Sequence, residues 1–397
     1  MGLILRNNAI IKNLVIGGTG GSGGGNGGGG GGSSEPSYLV VGAYVASTMA
    51  GTAYVYDASN YSTAATKLTP SGLSNYDFFG WSATSNGSQV AVGAKRHGGT
   101  GAVWVYDASN LSTTPTKLTV GSTSEFGGSL ASSTSHIVVG SPATNSSTGA
   151  VYVYDATNLS ASPTTLTPSG IASNDEFGCS VAASSDYIVV GVQGDDDEGN
   201  NAGAVYVYDA TNLSATPTKL TPSSLNADDK FGSSVAVYGT QIVIGATESD
   251  TQIANGGAAY VYDATNLSAA PTVLAPTSLT GNGRSGNSVS VSSDYIVVGA
   301  SGDNAGGSDA GAAYVYDASN LSAAPTKLTG GADDYFGHSV AVYGSQIVIG
   351  ARRDDTKASN AGAVYVYDAA NLSTSPTVLT ASDGVSGDEF GYSIGLG

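Results

Sequence analysis

Apolar and polar positions alternate with period two over short stretches of this chain, and those stretches return in a fixed order. "GAVYVYD" sets Tyr206 and Tyr208 on one face and Val205 and Val207 on the other, the pattern of a half-buried strand. "FGSSVAV" and "QIVIGA" are separated only by "YGT", which predicts a tight hairpin. Beyond the Tyr strand, "DATNLS" predicts an Asx-type turn and "TPTKLT" an outer strand. Pro217 is tolerated there because an edge strand can spare an amide donor. The apolar runs are strand-sized, so the sequence predicts no transmembrane helix.

Three phrases mark the repeat. Phe-Gly-x-Ser starts at Phe79, Phe126, Phe177, Phe231, Phe336 and Phe390, with a degenerate copy at Ser285. An aliphatic run closes on Gly42, Gly93, Gly140, Gly191, Gly245, Gly299 and Gly350. "YVYD" or "WVYD" ends at Asp57, Asp107, Asp155, Asp209, Asp263, Asp317 and Asp368, a spacing of about 48 to 54 residues and the range of propeller blades. The chain stops in half a unit, "FGYSIGLG", while Ser37–Ala43 and "GTAYVYD" supply a second and third strand without a first. Joined, they complete one blade and remove an open edge. The expected fold is therefore all-β: a seven-bladed β-propeller of four-stranded blades over residues 37–397, its last blade closed by N- and C-terminal strands. A non-globular Gly-rich segment precedes it, read as an anchor peptide (1–16) and a tether (17–36) with a reach of roughly 20 to 25 Å.

"DEFGxSVA", "IVVGA" and "GAVYVYD" together resemble the FG-GAP repeat family, which includes the integrin α-subunit propeller and many bacterial and viral surface proteins. The resemblance covers about Ser37 to Gly397. It implies a binding or adhesion module, on a fold that also hosts some enzymes. Integrin-type repeats often carry an Asp-x-Asp-x-Asp-Gly calcium loop between the first two strands. Here that link is "VYGTQ" or "ASSDY", with too few carboxylates for a hard cation, so the family's usual calcium loop is absent. The acidic run Asp195, Asp196, Asp197 and Glu198 reads as a solvated turn, with calcium binding as its alternative.

Composition narrows the function. A net charge of −18 argues against a nucleic-acid partner and against docking on an anionic membrane. The single Cys179 excludes an internal disulfide and reads as a buried, inert thiol. His97, His136 and His338 fall at unlike places in the repeat, and no nucleophile elbow, HExxH helix or phosphate-cradling loop is present, so no enzymatic activity is expected. Acidic pairs precede the Phe of several repeats (Asp175 and Glu176, Asp228 and Asp229, Asp333 and Asp334, Asp388 and Glu389). They read as turn-forming residues bonded to nearby amides, and would also make one rim acidic.

The loops between second and third strands vary while the "DATNLS" turns do not, which points to one rim as the facing surface. Candidate contacts there are Lys95, Arg96, His97, Asp303, Asp309, Arg352 and Arg353; the four Lys and Arg residues are candidate contacts for an acidic sugar, with exposed solubilising charges as the preferred alternative. Anchor, tether and head, with no export signal, suggest a phage virion protein on tail or capsid. Residues 1–16 would dock on the particle, the propeller rim would meet a host surface glycan or protein, and oligomerisation would add avidity. The alternatives are a bacterial surface or secreted adhesin, and a purely structural virion decoration or connector.

Overall fold

The computed structural model describes Val15–Thr19 as backbone and residues 37–121 and 123–397 in full. The propeller is as expected: seven blades, each a four-stranded antiparallel sheet. Blade 1 is stitched from both ends of the propeller, its innermost strand Ser393–Leu396 pairing with Tyr38–Ala43, followed by Thr52–Asp57 and Thr66–Leu68. Blades 2 to 7 begin their second strands at Gln89, His136, Tyr187, Gln241, Tyr295 and Gln346. The outer strands are shorter than the sequence suggests, most of them three residues as in Thr218–Leu220, and this one starts only after Pro217.

Period-two patterning becomes packing between blades. Blade 3 contributes Val151, Val153 and Leu166, and these meet Phe177, Val190, Tyr206 and Tyr208 of blade 4. One face of each blade is aliphatic and the facing side of the next carries the aromatic pair. Within blades, the motif Phe packs edge-on against the first aromatic of the third strand, as Phe231 does on Tyr260 at 5.2 Å and Phe79 on Trp104 at 5.5 Å. In blade 6, Ser285 stands where the Phe would be, its buried hydroxyl has no partner among the described residues, and Ile253 packs into that interface instead.

The Gly and Ser of Phe-Gly-x-Ser join blade to blade. Ser82 Oγ donates to the Gly127 carbonyl at 2.7 Å, Ser129 to Gly178 at 2.8 Å, and Ser234 to Gly286 at 2.7 Å. The series continues around the ring until Ser393 donates to Gly80 at 2.9 Å and closes it. The second-strand glycine makes the approach feasible: a Cβ on Gly245 would lie 2.0 Å from the Gly286 oxygen. A glycine is also needed on the other side of the contact, where Gly286 sits at φ +86°, a left-handed conformation that side chains disfavour.

Val15–Thr19 forms a further strand between the inner strands of blades 4 and 5, with Ile16 opposite Ala183 and Thr19 opposite Ser234. It straddles the boundary drawn at residue 16. The remainder of the expected anchor and tether lies outside the described residues.

Candidate functional site

The second-to-third and fourth-to-first loops share one rim, where the inner strands begin. Four repeated positions there organise the surface. In five blades the residue two before the motif Phe is a carboxylate, buried except for the half-buried Asp334, that accepts a backbone N–H three residues upstream: Asp77 from Ser74 at 2.7 Å, Asp175 from Ala172 at 2.6 Å, Asp388 from Val385 at 2.8 Å. The turn-forming role read from the acidic pairs thus belongs to one member of each, and to Asp77 as well. Burial raises the carboxyl pKa of Asp175, Asp229, Asp334 and Asp388. These groups lie beneath the rim and do not make it a simple acidic ring.

The second position, four residues after the second-strand Gly, pins the variable loop. Asp303 is fully buried and accepts from Lys327 at 2.9 Å, Tyr314 at 2.8 Å and Thr280 at 2.9 Å. Asp195 accepts from Lys219 at 2.6 Å, and Asp354 from Tyr365. In blade 2 the same place holds His97, whose Nδ1 lies 2.7 Å from Asp77 and whose Nε2 lies 2.7 Å from Lys117 Nζ. Since the ammonium can only donate, Nε2 accepts and Nδ1–H donates to Asp77. His97 and Asp303 are therefore held inside the loop scaffold. Asp309, half-buried, receives a long 3.4 Å bond from Tyr335.

The acidic run of blade 4 is arranged around a lysine. Asp195 and Asp197 both bind Lys219 Nζ at 2.6 Å, while Asp196 accepts the Asn201 N–H at 2.7 Å and Glu198 is exposed. Among the described residues no three His, Cys, Asp or Glu side chains converge as a metal-binding group.

The third position is the x of Phe-Gly-x-Ser, and here repetition breaks down: Trp81, Gly128, Cys179, Ser233, Asn287, His338 and Tyr392 in blades 2 to 7 and then 1. The bulky members fall side by side in blades 7, 1 and 2. Tyr392 is buried against His338 at 4.9 Å and Trp81 at 4.9 Å, and Tyr44 meets both rings, tilted against Tyr392 at 4.2 Å and edge-on to Trp81 at 4.9 Å. Burial and the Glu389 carboxylate push the Tyr44 phenol up to about 12. Burial and the charges of Arg352, Arg353 and Arg284 hold His338 well below the usual imidazole range, so it is neutral at neutral pH. Its Nε2, and the Nε of Arg352, have no hydrogen-bond partner among the described residues. Cys179, on the opposite side, is buried, and burial pushes its thiol up to about 12, in keeping with an inert group.

The fourth position precedes the Phe and has positive φ in every blade, including Phe78 at 60°, Tyr335 at 55° and Glu389 at 53°. With the loop cations it frames the aromatic wall. Lys95 Nζ sits 3.4 Å above the Trp81 ring and 3.3 Å from Glu125. Arg96 covers Phe78 at 5.1 Å, and Arg352 and Arg353 lie 4.8 and 4.9 Å from the Tyr335 ring. Arg352 also pairs with Glu389 at 2.8 Å and Arg353 with it at 3.7 Å. Of the sequence candidates, the structure thus brings Lys95, Arg96, Arg352 and Arg353 onto one sector and leaves His97, Asp303 and Asp309 as loop supports. Sequence reading missed Tyr44, Trp81, His338 and Tyr392. For the last three the signal was a motif that keeps Gly and Ser in every copy, and Phe in all but one, while its third residue changes each time.

A family model described as FG-GAP repeat matches residues 63–106, 163–208, 216–262, 277–316 and 327–367, more than half of the chain. No curated protein matches it.

Proposed function

Because the chain belongs to the FG-GAP repeat family, a family of binding modules that is generally non-catalytic, we propose that the propeller is a binding head. It would sit on a phage virion through residues 1–16 and present its loop rim to a host surface glycan or protein. The observation that carries this reading is the contrast around the ring. All blades share their buried seams, yet only blades 7, 1 and 2 raise a wall of Tyr44, Trp81, Tyr392 and His338 flanked by cations. Packing alone does not require that asymmetry, since Gly128 and Ser233 fill the same column elsewhere. A purely structural role in an assembly is the second reading, favoured by the pairing of Lys95 and Arg352 with carboxylates.

The test is the full chain, displayed multivalently on an array of bacterial surface glycans, with calcium and with EDTA. A selective hit that is lost on substituting the blade 7 and blade 2 loops supports the head. Silence across a broad array, together with retention on purified particles, supports the structural reading. Deletion of residues 1–16 should abolish incorporation into particles; particles that still carry the shortened protein would refute the anchor.

A further inference from the structure

A ligand class for the aromatic wall rests on the binding-head reading, which leaves that chemistry open. Tyr44 and Trp81 are half-buried, so each ring keeps accessible surface, while Tyr392 forms a buried floor beneath them. The two ring planes meet at 77° and Lys95 Nζ covers the Trp81 face at 3.4 Å, so Tyr44 is the ring that can stack on a ligand with a flat apolar face of its own. The flanking charge is limited: Lys95, Arg96, Arg352 and Arg353 stand against Glu125 and Glu389, a surplus of two positive charges. The least committed cations are at the two ends. Arg96 is exposed and has no carboxylate in ion-pair range among the described residues, and Arg353 is 40% exposed with only a 3.7 Å contact to Glu389. Two buried polar atoms, His338 Nε2 and Arg352 Nε, await partners in the same sector.

We propose that this wall binds a saccharide carrying a carboxylate, a uronic-acid-type unit, with the ring's C–H face on Tyr44, the edge of Trp81 beside it and the carboxylate held by Arg353. A pyranose supplies both an apolar face that stacks on an aromatic ring and hydroxyls that can accept from the exposed cations. A single carboxylate suits a small positive surplus on a chain of net −18, which repels polyphosphates and nucleic acids. Arg and carboxylate pair through two parallel hydrogen bonds, giving the acid preference over its neutral analogue. An acidic peptide fits less well, because its backbone amides need partners of their own. The loops flanking the wall have already closed on themselves, Gly101 N–H on the His97 carbonyl at 2.9 Å and Gly362 N–H on the Asp354 carbonyl at 3.0 Å.

The full chain contains two tryptophans, Trp81 in the wall and Trp104 in the outer core, which allows an internal control. The experiment is a titration with galacturonic acid, its methyl ester, galactose and a poly-glutamate peptide, read by tryptophan emission and by calorimetry. The proposal expects saturable binding of the acid, at least tenfold weaker binding of the ester and of galactose, and loss of the emission change in Trp81→Phe while Trp104 still reports a folded protein. Arg353→Gln should weaken the acid at least fivefold at an unchanged melting midpoint, and Arg96→Gln, at the other end of the wall, less than twofold. Equal binding of acid and ester overturns the proposal, as does tighter binding of the peptide or no calorimetric signal with any of a panel of uronic and nonulosonic acids. The broader reading has its own signature. If array binding survives Arg353→Gln and Trp81→Phe, the head stands and the wall assignment falls; if the array is also silent, both fall.

Discussion

Trp81 and Ser82 are neighbours in one motif and belong to different regimes. Ser82 repeats in all seven blades and does the same work each time, donating to the next blade's glycine carbonyl. Trp81 has no counterpart in any other blade and stands in a wall that only one sector possesses. The difference teaches that repetition in this chain records what neighbouring blades need from each other, while departure from repetition inside a repeated motif marks a residue released from that need. The two columns should therefore fail differently when substituted.

The largest effect is expected on the repeated side. Gly245→Ala forces a Cβ to within 2.0 Å of the Gly286 carbonyl, backbone against backbone, with no flexible side chain to yield. It should cost more than about 3 kcal/mol, read as a fall in the denaturant midpoint or in soluble yield. Ser234→Ala leaves a buried carbonyl without its donor and should cost about 1 to 3 kcal/mol. Blade 6 sharpens the comparison by reversing its sign. Ser285 has already lost the motif Phe and buries an unpaired hydroxyl, so Ser285→Ala should raise stability by about 1 kcal/mol.

Acid tests the wall through His338. Its pKa is held well below 6.5 by burial and by the three arginines, with Tyr392 packed on its ring. Below about pH 6.5 the unfolded chain binds a proton that the folded one refuses, so stability falls as pH falls, by up to about 1.4 kcal/mol per unit. Asp175, Asp229 and Asp388, which are buried, and the half-buried Asp334 work in the opposite sense. Their raised pKa means that protonation near and above the ordinary carboxyl range relieves a burial cost. His338→Asn should flatten the decline between pH 7 and 5.5 in midpoints measured across that range. The smallest effect is expected from calcium. Lys219 already occupies the space between Asp195 and Asp197 and pairs with both, so the melting midpoint should be the same with calcium and with EDTA.

Much of the fold was legible because its determinants are local or repeated. Period-two alternation gives the strands, "YGT" the hairpin, and the split copies at Ser37 and Phe390 the closure of blade 1. The buried carboxylates were half legible: the acidic pairs are visible in the sequence, but which member turns inward depends on its distance from the Phe. Lys219 was not legible as the partner of Asp195. It sits opposite Tyr206 across a strand pair, a neighbour fixed by register and not by spacing. The wall was missed for the same kind of reason. Tyr44, Trp81, His338 and Tyr392 come from three blades, two of them joined only by ring closure, and no window of sequence contains them together.

The most direct measurement takes one residue from each regime through the same two assays. Ser82→Ala and Arg353→Gln would each be measured for denaturant midpoint and for calorimetric binding of galacturonic acid. Ser82→Ala is expected to lower stability by about 1 to 3 kcal/mol with binding intact. Arg353→Gln, at a partly exposed position, is expected to change stability by no more than about 0.5 kcal/mol and to weaken binding at least fivefold. Equal loss of stability in both variants, or equal binding by both, would contradict the separation of the two columns.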